Sequence, residues 1–250
     1  MEDTLYLYGD IGSSYWFEGI TAKDVSLQLK DLDISASKHT IRFNSPGGLV
    51  DEGLAMMNVL RVHKTTMKAI NPSFELETVC DGYCMSAATC PFMAGDIRTI
   101  ALGGVFMIHD AWSYAGGDAK LLRKIADDLD KLSENAANIY AALCTPSKDR
   151  TAAFFRNLMT EETYFIGAEA VDVGLATQED KASEAVLCAS LTPENLKGHY
   201  VQRMTKDRIK TTYNRPINPQ SMKKRDDAIA LLAKTAAELG KPLDNPKIVC

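Results

Sequence analysis

The stretch Gly82-Tyr83-Cys84-Met85-Ser86-Ala87-Ala88-Thr89 places a serine four residues after a glycine and just ahead of a run of small residues. Val79-Cys80 before it read as the end of a buried strand, and Ser86-Ala87-Ala88-Thr89 as the first turn of a buried helix. A serine at such a strand-to-helix turn projects its oxygen into a cleft. The backbone N–H groups of the helix start lack intrahelical partners and can face a developing negative charge. Taken alone, the spacing also describes a small residue needed for close helix packing.

Nucleophilic cleavage of an amide needs more than an oxygen. It needs a base within hydrogen-bond reach, a group that orients the base, and donors for the oxyanion. His109 is the strongest base candidate, because it ends the apolar run Val105-Phe106-Met107-Ile108 just before a turn. The other histidines are poorer candidates: His39 opens a strand, His63 ends a helix beside Lys64, and His199 lies in a polar tail. Gly47-Gly48 follow the strand ending in Phe43-Asn44-Ser45-Pro46 and can present bare backbone N–H groups to a ligand. Only glycine allows such close approach or a positive φ there. With the Ala87 N–H they form a possible two-donor oxyanion hole, in which each donor typically contributes about 3 kcal/mol.

Composition narrows the class. The chain has 250 residues, 46% hydrophobic and 24% charged, with a formal net charge of −5. That suits one soluble domain of ordinary size with some extra, or a large single domain, and the mild acidity argues weakly against nucleic acid as the main partner. No apolar run approaches the roughly 18 residues of a membrane helix. The start Met1-Glu2-Asp3-Thr4 lacks the basic flank of a secretory signal, so the sequence predicts a cytoplasmic protein. Six cysteines occur without a C-x-x-C pair, and no histidine stands at zinc-ligand spacing from any of them. Cys80, Cys84 and Cys90 read as buried free thiols, and neither metal nor cofactor is expected.

Several elements must position these residues. Thr4–Tyr8 alternates as a strand, and Thr21 caps a helix whose apolar stripe is Val25, Leu29 and Leu32. Lys38–Phe43 is a second strand, followed by a helix over Leu49–Val62 and a third strand over Phe74–Cys80. A helix from Ser86 to Met93, a short strand or turn at Asp96–Ile100 and the strand ending in His109 come next. Asp118–Leu143 reads as one long helix, and Arg150–Met159 as a shorter one. Glu161–Ile166 leads into a helix over Ala168–Val173 closed by Gly174, with a last strand starting at Leu175. Tyr15, Trp16 and Phe17 read as packing or interface residues. Strands alternating with helices predict an α/β domain with largely parallel pairing. The texture changes near residue 190, which places one domain over 1–190 and a C-terminal extension over 191–250: a polar arm, then a short helix.

Taken together, Phe43-Asn44-Ser45-Pro46-Gly47-Gly48, Gly82 to Ser86, Met107-Ile108-His109, and Glu169-Ala170 with Gly174-Leu175 resemble the Clp protease proteolytic subunit family. The likeness covers roughly residues 4 to 178, in the family's order and at about its spacing. With the opening Tyr8-Gly9-Asp10-Ile11-Gly12, it more closely resembles the phage branch, the head maturation proteases. The resemblance implies a ClpP/crotonase-like fold of stacked ββα units with a long handle helix, matched here by Asp118–Leu143. It implies Ser86 as nucleophile, His109 as base, and Gly48 and Ala87 as oxyanion donors. It places Gly47, Gly116 and Gly117 along the substrate groove. The family's third triad residue is an aspartate, and the matching position here is Glu162, with Glu161 and Asp110 as fallbacks. The resemblance also implies self-association into heptameric rings, stacked as a 14-mer, acting on protein or peptide substrates such as phage capsid or scaffold proteins. The site of action would be the bacterial host cytoplasm, within assembling proheads. The chain begins almost at its first strand, where family members that work with ring ATPases carry an extra segment, so no ATPase partner is expected.

Two other readings stay open. One is a ring-forming scaffold on the same fold without activity, supported by the glutamate at 162. The other is a crotonase-like enzyme acting on acyl-CoA, against which the co-occurrence of Ser86 and His109 speaks.

Overall fold

The structure is a computed structural model and describes residues 3–13 and 18–180. The aromatic group Tyr15-Trp16-Phe17 and the proposed extension over 191–250 lie outside the described residues. The strands are β1 Thr4–Tyr8, β2 Lys38–Ser45, β3 Glu75–Met85, β4 Ile97–Ile100, β5 Val105–Ile108, β6 Thr163–Ile166 and β7 Gln178–Glu179. The helices are α1 Ala22–Gln28, α2 Val50–Ile70, α3 Thr89–Phe92, α4 Ala119–Leu143, α5 Ala152–Thr160 and α6 Ala168–Asp172. The sheet runs β1-β2-β3-β4-β7, with β5 pairing β3 and β6 pairing β5. Every pairing is parallel except β5 with β6. This is the mixed α/β architecture, largely parallel, that the alternation of elements predicts.

Local chemistry explains most boundaries. Thr21 and Asp24 close a reciprocal capping box on α1. Asp118 caps α4 by accepting from the Leu121 N–H at 2.9 Å, and Thr151 does the same for α5. Gly174 takes φ +80° just past α6 and closes it, as its position predicts. The core is made of the inward faces of the strands and helices. Phe43, Phe74, Phe92, Phe106 and Phe155 are among its largest fully buried side chains. Cys80, Cys84, Cys90 and Cys144 are buried free thiols, and burial raises the Cys80 and Cys84 thiols well above their ordinary range.

Three elements run differently from the sequence reading. Helix α2 continues past Val62 to Ile70, because Met67 is still buried against the core. The last strand is Gln178–Glu179 rather than a segment starting at Leu175. Most consequential is β3, which does not end at Cys80 but runs to Met85. Its first half pairs with β4, through Glu77 to Cys80, and its second half with β5, through Tyr83 to Met85. Against β2 the register shifts between Phe43↔Cys80 and Ser45↔Cys84, a bulge centred on Asp81-Gly82-Tyr83. The breaker-like Asp-Gly is thus absorbed inside a strand. Asp81 pairs with Arg42 and accepts from the Tyr8 hydroxyl at 2.7 Å. A Cβ at Gly82 would sit 2.7 Å from the Asn44 side-chain oxygen, which itself accepts from the Tyr83 N–H at 3.1 Å. The bulge lets one strand change partners and carry Ser86 toward His109.

His39 and His63 form a second polar feature, away from that turn. His39 is fully buried, and its Nε2 lies 2.9 Å from the Asp33 carbonyl. A carbonyl only accepts, so Nε2 carries the proton and Nδ1 must accept from His63 Nε2 at 2.8 Å. Burial, with the neighbouring His39 adding to it, pushes the His63 pKa down to about 4. The unfolded chain therefore takes the proton first, near pH 6.5. Stability to urea is expected to fall as pH drops from about 6.5 to about 4, and His63→Leu should flatten that slope; an unchanged slope would contradict this.

Candidate active site

Ser86 sits where β3 gives way to a single 3-10 turn, Ser86–Ala88, which runs directly into α3. It takes φ +56°, one of two non-glycine residues among the described ones with a positive φ. For an L-residue this costs about 1–3 kcal/mol. The surroundings enforce it. Met85 is locked opposite Met107 of β5, and the Ser86 carbonyl accepts from the Thr89 hydroxyl at 2.5 Å. Since Thr89 spends its hydrogen there, the Tyr140 hydroxyl of α4 donates to Thr89 Oγ1 at 2.6 Å. The turn is thereby pinned to the long helix. The sequence places Thr89 only in the first turn of a helix and gives Tyr140 no role, because a threonine and a tyrosine that far apart carry no local signal of their bond.

Strand β5 delivers His109 to the same point. His109 Nε2 and Ser86 Oγ lie 2.7 Å apart, and both residues are at least half-buried. Burial holds the His109 pKa below its ordinary value near 6.5, with the charge of Glu162 acting in the opposite direction. The imidazole is thus neutral at pH 7. With Ser86 Oγ–H donating to Nε2, its own proton sits on Nδ1.

Gly47 and Gly48 form the third wall. A Cβ at Gly47 would lie 2.6 Å from the Ser86 Cβ and 3.1 Å from the Ala87 nitrogen, so this turn rests directly on the serine. Gly47 takes φ +99° and donates its N–H to Ser45 Oγ at 3.2 Å. Gly48 is bridged to Ile11: Ile11 N donates to the Gly47 carbonyl at 2.8 Å, and Leu49 N donates to the Ile11 carbonyl at 2.9 Å. In a parallel bridge of this kind, the central residue's own N–H points to the other side. The Gly48 N–H therefore faces away from Ile11. The Ala87 nitrogen stands in the first turn after β3, beside this glycine turn.

Glu162 comes close to His109 through the antiparallel pairing of β5 with β6. That register sets Ile108 opposite Thr163, so the next residues outward are His109 and Glu162. Glu162 is the other non-glycine with positive φ, at +49°. Its charge acts on His109, but no hydrogen bond joins the two; Glu162 Oε1 instead accepts from the Tyr164 hydroxyl at 2.7 Å. Of the fallbacks, Asp110 is taken up by an ion pair with Arg156 and accepts from the Thr160 hydroxyl at 3.2 Å. Glu161 is exposed at the end of α5. Gly116 and Gly117 lie in the exposed segment between His109 and α4, and a Cβ at Gly116 would meet nothing within 4 Å. Among the described residues no cluster of His, Cys, Asp and Glu is arranged to hold a metal ion. No helix among them is long and apolar enough to cross a membrane.

A buried serine in a strained turn, an imidazole on its oxygen and adjacent bare amides form an arrangement suited to acyl transfer. The family model described as Clp protease matches residues 15–179, a span that includes all of these groups. Members of that family are serine peptidases that typically form ring-shaped oligomers and act on protein substrates. With the match extending over more than half of its length, and with the parallel α/β fold described above, the chain belongs to the Clp protease family.

Proposed function

We propose that the chain is a serine endopeptidase that works through Ser86, His109 and Glu162, with Gly48 and Ala87 as oxyanion donors. The observation that carries this reading is the 2.7 Å contact between Ser86 Oγ and a half-buried, neutral His109. As Ser86 Oγ bonds to the scissile carbonyl carbon, His109 Nε2 takes its proton. The carbonyl oxygen becomes an oxyanion facing the Gly48 and Ala87 N–H groups. The C–N bond then breaks, the imidazolium protonates the leaving amine, and water hydrolyses the acyl-enzyme by the same steps. Glu162 stabilises the imidazolium through its charge. The extended segment around Gly116-Gly117, with Gly47, lines the path of the substrate backbone.

The substrates in this reading are phage capsid or scaffold proteins, cut during head assembly in the bacterial host cytoplasm. The opening Tyr8-Gly9-Asp10-Ile11-Gly12 favours that branch. The enzyme acts as a heptameric ring, single or stacked as a 14-mer, and without a ring ATPase. Unfolded casein is expected to be cut by the full chain at the same rate with and without ATP. Processing of a cognate head protein in the same assay tests the substrate class; no cleavage of it would overturn that part.

The second reading, an inactive ring-forming scaffold, draws on one observation: Glu162 bonds Tyr164 rather than His109. The pH profile separates the two. Because His109 must be neutral to act and burial depresses its pKa, kcat/KM should stay flat through neutral pH and fall only below a midpoint under 6.5. Glu162→Gln should move that midpoint lower still, since the lost charge is what raises it. A rate that does not change between pH 5 and 8 would contradict the role of His109.

A further inference from the structure

Glu162 is exposed, and a glutamate side chain in water samples many rotamers. Something must hold it if its charge is to act on His109 at a fixed place. Tyr164 stands two residues along, at the first paired positions of β6, and its hydroxyl donates to Glu162 Oε1 at 2.7 Å. A carboxylate has two oxygens and about four lone-pair sites, so this bond leaves Oε2 free. The backbone contributes as well, since φ +49° at Glu162 turns the chain sharply just before β6.

Resting on the peptidase reading above, we propose that Tyr164 is a positioning residue for Glu162. By holding one carboxylate oxygen, its phenol keeps the other aimed for the Nδ1–H of His109, which it meets as the imidazole becomes charged. Other charged groups around His109 are already engaged. Asp110 is paired with Arg156 of α5, and Arg156 also holds Asp130 of α4 at 3.1 Å. Glu162 is thus the carboxylate left to act on the imidazole, and Tyr164 is what fixes it.

The test is a kinetic double-mutant cycle on the full chain with one peptide substrate: wild type, Tyr164→Phe, Glu162→Gln and the double variant, each over pH 5 to 9. Tyr164→Phe should lower kcat roughly tenfold with KM within about twofold, and should move the acid midpoint downward. In the Glu162→Gln background, Tyr164→Phe should cost nothing further, because the residue it positions is no longer charged. A wild-type kcat and pH profile in Tyr164→Phe would overturn the proposal. So would a tenfold loss that persists in the Glu162→Gln background, which would mark Tyr164 as a packing residue. A wild-type chain that takes no fluorophosphonate at Ser86 would overturn the peptidase reading, and this proposal with it. A chain that labels at Ser86 while Tyr164→Phe is kinetically silent would overturn this proposal alone.

Discussion

Ser86→Ala should lower kcat for peptide hydrolysis by on the order of 10⁴-fold or more, and His109→Ala by a similar factor. The two residues act as one unit through the 2.7 Å contact, so the double variant should be no slower than either single one. Two independent roles would instead multiply the losses. A third substitution separates chemistry from folding. Ser86→Gly also removes the nucleophile, but glycine adopts the φ of +56° without steric cost. It should be as inactive as Ser86→Ala, yet its thermal midpoint should be at or above the wild type's, because the strain stored at the turn is relieved. A Ser86→Gly variant that unfolds at clearly lower temperature would mean that the turn is not strained by the serine.

Gly47→Ala should be nearly as damaging to activity, by a different route. The new Cβ would stand 2.6 Å from the Ser86 Cβ and 2.8 Å from the Met85 carbonyl oxygen, at a φ of +99° that L-residues avoid. Neither neighbour is the end of a flexible side chain. The turn must withdraw, taking the Gly48 N–H away from the proposed oxyanion position, and loss of one such donor alone costs about 10²–10³-fold in kcat. Stability should fall by about 1–3 kcal/mol through backbone strain. The activity loss should therefore exceed what the unfolded fraction explains, measured by kcat per folded molecule in parallel with urea midpoints. Near-wild-type kcat in Gly47→Ala would remove this turn from the oxyanion site. Gly48→Ala is a harsher variant, since its Cβ would fall 2.1 Å from the Ile11 carbonyl oxygen and break the bridge that anchors the turn.

How much of this was legible beforehand depended on whether each signal was local. Thr21 as an N-cap and Gly174 as a helix stop act within a few residues and are legible directly; the structure adds Asp24 to the Thr21 cap and makes Asp118 the cap of α4. Ser86 reads as standing at a strand-to-helix turn, His109 ends an apolar run, and Gly47-Gly48 follow the strand over Lys38–Phe43, so their places between elements are legible directly. Their convergence is not, because it depends on β3 switching from β4 to β5 across a bulge. Asp81-Gly82 looked like the end of the strand, and only the Arg42 and Tyr8 side chains from neighbouring strands show why the chain continues through it. The pairing of His39 with His63 was equally hidden, since it joins a strand to the middle of a helix that runs further than its apolar pattern implied. The bond from Tyr164 to Glu162 had a faint signal, a tyrosine two residues after a glutamate, but it depends on the turn at Glu162 just before β6.

The competing chemistries differ at the same residues. A crotonase-like enzyme needs paired amides but no serine–histidine contact, and the contact present here is short and half-buried. An inactive scaffold would keep the fold and lose reactivity. Reactivity at one atom is therefore the quantity to measure. The full chain should be treated with a fluorophosphonate at pH 7.5, digested, and mapped by mass spectrometry. A single adduct on Ser86 in the wild type, with none in His109→Ala, is the expected result. Adducts elsewhere, or equal labelling of Ser86 when His109 is absent, would contradict a serine activated by that histidine.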